Sequence, residues 1–526
     1  MPRYASNLLD EPLIFDNSIS FIGGQVSGVR PNLLNVNQFS DGKNVDIDTF
    51  GTVATRKGTL KFPSTPHSTN IQGLSYYDNP TQTVERLISA TGGNLYRCDV
   101  GGTSWTQLTG AVNTVHATNQ VDFVQLVDKM FVCDGANSMR MITNDANSTV
   151  PSAHGLAFTS ATSHTNRLFG FGVVSGQPND GLWASDILDG TTWNLTTNQI
   201  RIGGHSGDPI RALHSWHNFN LLVFKERSIY IVNTDPSLLV AANWEIKKIS
   251  DRFGCASRRS VAQVGGDCFF LSRFGVMSIG QIMNGAQTIV EPEPISTPIR
   301  DWIEKINWSK AHTACATFWG NRYILSVPIG SDTPNYTFVF NTVTRSWSGY
   351  WTNWTPTVFA ESAFAGDLRM HFGQTDGKVL KWLEYVSQDD ETDSTYKDDG
   401  SFYPSHVTTR AFVFRDQMND KIGRNAEFEF NKSRANVDVF QTRDDTSSEQ
   451  RLNPSSIDTS EGTGITLPVP LPWVFGDDAV IRRAFSTVAK GTFNEVQYRV
   501  YAAENKLQLR GVKASAIVMG LDAEKR

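Results

Sequence analysis

The sequence predicts an all-β protein: a β-propeller of about seven four-stranded blades followed by a C-terminal β-sandwich-like domain. Three observations predict it. Between Asp208 and Ser250 four short apolar runs follow one another, Ile210–Trp216, Asn220–Phe224, Ser228–Val232 and Trp244–Ile249, cut by polar breaks. Short runs rich in Val, Ile, Leu, Phe and Tyr between polar turns read as strands, and four in succession make one antiparallel meander. The same pattern recurs along the chain, and 42 glycines, with Asn, Thr and Ser, fill the breaks, as many tight turns require. A lone four-stranded sheet cannot bury both faces, so each unit needs copies of itself to stack against.

The second strand of each unit is its most apolar and serves as a register mark. These strands start near Arg86, Lys129, Arg167, Leu221, Cys268, Arg322 and Leu368, a mean step of about 47 residues. A third strand follows in each, and Trp105, Trp193, Trp244 and Trp347 mark several fourth strands. Four strands per 40–50 residues is the pattern of a propeller. Steps from 38 to 54 residues make it a structural repeat rather than a recent duplication.

In chain order, residues 1–43 read as an irregular N-terminal arm with Phe21-Ile22-Gly23-Gly24 and Pro31-Asn32-Leu33-Leu34 as isolated apolar anchors. A hairpin follows over residues 44–56, turning at Thr49-Phe50-Gly51. The propeller spans 44–388. Its last unit, after Val379–Leu383, runs into Ser387–Glu391 without a fourth strand, so a strand of the 44–56 hairpin is expected to complete that blade and leave no open sheet edge. Residues 389–400, dense in Asp and Glu, read as a solvated acidic linker; they lack the even ligand spacing of a calcium loop. Residues 401–526 hold some six further strands, including His406–Phe414, Ala426–Phe430 and Leu507–Val518, interrupted by a Ser/Pro-rich insertion that ends in Leu467–Trp473. That insertion is expected to be an extended loop and a candidate contact with a neighbouring subunit.

The net charge of −6 and pI near 6.0 argue against a protein that coats nucleic acid, which would carry a basic stripe. Cys98, Cys133, Cys255, Cys268 and Cys315 are odd in number, scattered and without C-x-x-C spacing, so buried free thiols are expected. Arg3, Asp10, Glu11 and Asp16 break up any signal-peptide core in Met1–Gln25. No apolar run approaches the roughly 18 residues of a membrane span.

Catalytic, cofactor-binding and metal-binding residues are expected to be none. The ten histidines, among them His205, His214 and His217, have no metal-site spacing, and no nucleophile-elbow, Walker or dinucleotide fingerprint occurs. Ser185–Trp193 resembles the Asp-box of sialidase-type propellers at Gly190, Thr192 and Trp193. Leu188 stands at the Asp position and Asp186 at the Ser position, and the box itself is a structural turn.

Phe21-Ile22-Gly23-Gly24, Pro31-x-x-Leu34 and the stretch Asn44–Gly58 with its Gly51 turn and Arg56-Lys57-Gly58 together resemble the opening of tail nozzle (tail hub) proteins of short-tailed bacteriophages. Tyr336–Trp347 and Leu507–Val512 are similar to their propeller and closing strands, and the layout of arm, propeller and terminal β domain extends over most of the chain. The resemblance implies a non-enzymatic structural virion protein, made in the bacterial cytoplasm and placed in the tail. It implies a ring, a hexamer, below the tail adaptor protein, in contact with tail fibres or tailspikes. Viral DNA would pass on ejection without sequence-specific binding, and with no stable membrane insertion. A glycan-binding or glycan-cleaving propeller, with acids, Arg and aromatics lining one face, and a bacterial propeller scaffold are the alternatives.

Overall fold

Strands dominate because the period-two alternation of the sequence leaves each run one or two apolar faces to bury, and stacked sheets bury them. The computed structural model describes residues 13–518 except 111–113, 151–154, 174–178, 205–206, 239, 289–290, 445–447, 461–479 and 488–491. His205 and Leu467–Trp473 lie outside the described residues. The chain is mostly β, and its meanders are arranged as a β-propeller.

Six antiparallel units have four strands. The first runs Ile71–Asn79, Val84–Thr91, Asn94–Asp99 and Thr106–Gln107, and the fourth Ile210–Trp216, Asn220–Lys225, Ile229–Asn233 and Glu245–Ser250. Between the fourth unit and the one that starts at Cys315–Trp319 stands a three-stranded sheet, Ala262–Val264, Asp267–Ser272 and Gly275–Ser278. There the helix Ile279–Thr288 follows the third strand, and Ile279 and Ile282 pack into the core shared with the fourth unit. The expectation of four strands in every unit is corrected at this place.

All seven register marks lie in second strands, which are the buried middles of their sheets. Successive units share apolar cores: Phe169, Leu182, Leu221, Val223 and Trp244 between the third and fourth, and Phe224, Ile229, Phe270 and Met277 beyond it. Each such side chain contributes about 1.5–3 kcal/mol of burial. The first strands line the middle of the ring. Ile71–Asn79 packs on Asp122–Leu126, that strand on Ala157–His164 and that on Ile210–Trp216, while Cys315–Trp319 packs on Pro356–Phe364, which returns to Ile71–Asn79.

The ring is closed by a strand from the N-terminal region, but not by the hairpin. Thr59–Lys61 pairs antiparallel with Val379–Trp382, with Thr59 opposite Trp382 and Lys61 opposite Leu380. The hairpin strands Val45–Ile47 and Val53–Thr55 instead join a sheet with Gln508–Val518, Lys421–Asn431 and Val480–Ser486. Val45, Ile47 and Val53 are needed in that sheet's core, whereas Thr59–Lys61 offers little apolar surface of its own.

The N-terminal segment is likewise no separate arm. Leu13–Ser18 pairs with the C-terminal strand from Leu13 opposite Ile517 to Ser18 opposite Val512. Gln38–Lys43 pairs with Ser405–Thr409, which continues to Val496–Ala502 and Asn436–Arg443. Residues of these two sheets share one core, in which Phe21 meets Phe39 edge-on at 6.2 Å.

The acidic stretch 389–400 is also not a solvated linker. Lys397–Asp398 pairs parallel to Thr59 and forms a hairpin with Ser401–Phe402. Some of its carboxylates are counter-charges: Glu391 to Lys506 at 2.7 Å and Lys57 at 3.3 Å, and Asp399 to Lys61 at 3.3 Å.

Candidate functional site

The chain offers two places where polar groups converge, and they differ in kind. The first is the joint between the propeller and the C-terminal sheets, built on Asn44 and Arg56. The Arg56 side chain is fully buried and gives a forked pair of bonds to Asp398, Nη1–Oδ1 at 3.0 Å and Nη2–Oδ2 at 2.5 Å. Nη2 also donates to the Thr352 carbonyl at 3.0 Å and Nε to Asn44 Oδ1 at 3.3 Å. The guanidinium carbon lies 3.9 Å from the Tyr403 ring centroid and 5.4 Å from that of Trp354. Such a planar, fixed charge is what a buried bidentate and stacked position needs.

Asn44, in the left-handed region at φ 54°, donates through Nδ2 to Thr352 Oγ1 at 2.9 Å and the Pro404 carbonyl at 2.8 Å. Gly24 belongs to the same joint: at φ +72° a Cβ there would lie 2.6 Å from the Trp347 carbonyl oxygen. This joint is structural; every donor named has a partner within the fold.

The second is a cavity of about 450 Å³ on the ring's middle, at the face where first strands begin. Loops and strand starts of several units reach it: Asn70 and Gln72, Thr118 and Gln120, Arg258 and Arg259, and His312. Its floor is a tie across the ring. Arg259 donates to the carbonyls of Gln72 and Val121, both at 2.7 Å, and of Thr357 at 3.0 Å. Its Nε also bonds Asp122 Oδ1 at 3.0 Å, and Arg258 Nε bonds Asp122 Oδ2 at 2.5 Å. Burial alone would raise the Asp122 carboxyl, but Arg258 and Arg259 outweigh it and hold it at about 2.

Asp134, also in the wall, is satisfied by the N–H groups of His116, Ala136 and Asn137. An adjoining cavity of about 190 Å³ shares Thr159, Arg258 and His312 and adds Arg211. Burial, with Lys310, Arg211 and Arg258 nearby, lowers the His312 pKa.

The remaining sequence features are structural in place. In Ser185–Trp193 the anchor is Asp189, whose carboxylate accepts from Thr191 N at 2.8 Å and Thr192 Oγ1 at 2.7 Å. Trp193 Nε1 donates to the Gly190 carbonyl at 2.9 Å and its ring packs 4.9 Å from Phe158. His214 is half-buried in its strand, and His217 Nε2 is 3.0 Å from the Gly266 carbonyl. All five cysteines are buried and free. Among the described residues no group of three or more His, Cys, Asp or Glu could hold a metal, and no helix is long and apolar enough to cross a membrane.

The cavity arginines were missed by sequence reasoning. Arg258-Arg259 reads as a solvated pair of charges, and its counter-ion stands more than a hundred residues away. The available signal was their place in a run flanked by Phe253, Cys255 and Val261.

No known protein-family profile matches the chain, and no curated protein matches it. Among solved structures, the chain is similar to the computationally designed Ika8 protein, at 11% identity and a TM-score of 0.36, over 62% of this chain and 99% of that one. A likeness this distant carries no functional argument.

Proposed function

We propose that this chain is a tail nozzle (tail hub) subunit of a short-tailed bacteriophage, a structural virion protein without catalytic chemistry. In this reading a ring of copies, a hexamer, sits below the tail adaptor in the virion tail, meets fibres or tailspikes, and continues the path of the DNA. The observation that carries it is the joint. Gly24, Asn44, Arg56, Gly58 and Trp347, which stand in the stretches that carry the resemblance, are among the residues that lock the N-terminal segment across propeller and C-terminal sheets. A set of short motifs held together by one structural task is stronger support than the same motifs scattered.

In the same reading the propeller has seven blades, the three-stranded sheet counting as one, and the two C-terminal sheets form a sandwich. The Arg259 tie crosses the middle of the propeller, so the conduit belongs between copies rather than along a propeller axis. A mildly acidic wall suits a polyanion that must slide rather than stick.

Gold-labelled antibody against the protein, imaged on particles from the source culture, tests the reading. Label on short tails is the expected result; protein free in the lysate with every particle unlabelled would discard it. The glycan-binding alternative draws on the arginines of the ring cavity, yet the described lining of that cavity holds no Trp, Tyr or Phe for a sugar to stack on.

A further inference from the structure

We infer that the ring cavity is a binding site for a small hydroxylated carboxylic acid of monosaccharide size, held through the guanidinium of Arg258. The inference is independent of the nozzle reading, since it rests only on the cavity.

Two guanidinium groups share the single carboxylate of Asp122. Arg259 is consumed: its nitrogens bond Asp122 and three backbone carbonyls. Arg258 is not. Its Nε goes to Asp122 and its Nη2 to the Gln120 carbonyl at 3.1 Å, while among the described residues Nη1 makes no hydrogen bond. The side chain is only 16% exposed and lines both adjoining cavities, so the unspent donor faces into the concavity. A guanidinium fixed in this way by two partners is pre-organised to take one more planar acceptor.

The surroundings narrow the ligand. Asp134 stands in the wall and Asp122 is bound to both arginines, and these carboxylates repel a dianion such as phosphate more than a monoanionic carboxylate. Thr118, Gln120, Thr313 and Thr333 present hydroxyl and amide groups, which match hydroxyls better than an apolar body. The volume of about 450 Å³ lies within the 300–1,000 Å³ range of small-molecule sites.

The test is calorimetric titration of the full chain at low ionic strength with galacturonate, its methyl ester, galactose, inorganic phosphate and a tetra-aspartate peptide. The expected result is millimolar binding of galacturonate, at least ten-fold tighter than the ester, galactose and phosphate, and at least ten-fold weaker in Arg258→Gln. Comparing acid with ester on the unaltered protein keeps the test decisive if the variant fails to fold. Equal binding of acid and ester, no binding of either, or an unchanged Arg258→Gln affinity would overturn the site. Tighter binding of the peptide than of galacturonate would assign the pocket to a protein side chain and overturn the small-ligand inference.

Discussion

Arg56 shows how much one side chain can be asked to do. It lies between the hairpin and the ring-closing strand and touches Asn44, Thr352, Asp398 and Tyr403, which belong to three separate stretches of chain. Removing it leaves Asp398 with a side chain only 9% exposed and short of its counter-ion, and the loss of one partner of a buried pair costs about 3–5 kcal/mol. Arg56→Ala is therefore expected to lower stability by that amount in urea denaturation. Arg56→Lys restores the charge but neither the fork nor the stacking, so it is expected to recover only part of the loss. Full recovery by lysine would mean that charge alone matters at the joint. The position is legible in the sequence only as a basic residue before Lys57-Gly58; that it is buried depends on partners some three hundred residues away, which no local pattern encodes.

At the scale of elements, the strands were legible and their partners were not. Second strands such as Lys129–Cys133 and Asn220–Lys225 are apolar on both faces because they lie mid-sheet between neighbours, and that composition shows in the sequence. The hairpin 44–56 has equally clear alternation, but alternation states that one face is buried, not against which sheet. The ring-closing strand escaped notice for the opposite reason. Thr59–Lys61 has one buried residue in three and is held chiefly by its backbone, between Val379–Trp382 and Lys397–Asp398.

Gly58 makes that placement possible. A Cβ there would lie 2.0 Å from the Lys397 carbonyl oxygen, and its own N–H donates to the Thr395 carbonyl at 2.7 Å. Both neighbours are backbone, so neither can rotate away. Gly58→Ala is expected to cost about 1–3 kcal/mol as an overpacked site, with the loss of amide exchange protection centred on residues 59–61 and 379–382. A variant as stable as the parent would show that the two segments can separate without harm to the ring.

For the whole molecule, the question is what keeps the first strands of the propeller at a common centre. Apolar cores hold neighbouring units together, and the Asp122–Arg258–Arg259 cluster reaches across the middle, tying carbonyls at Gln72, Val121 and Thr357 to one buried charge set. Its strength depends on pH. The Asp122 carboxyl is held at about 2, against an ordinary value of 3.8, so its folded-state pKa lies below its unfolded one. Stability from this source is complete above the unfolded value and lost as pH falls from about 4 toward 2. At 1.36 kcal/mol per unit, it amounts to roughly 2 kcal/mol. Urea denaturation at steps between pH 7 and pH 2.5 should show Asp122→Asn less stable than the parent at neutral pH, because two buried guanidinium groups then lack their counter-ion. The gap should narrow by about 2 kcal/mol toward the acid end, as the parent's own carboxyl takes up its proton. Two curves that stay parallel over that range would show that the cluster fixes geometry at the ring's centre without supplying its stability.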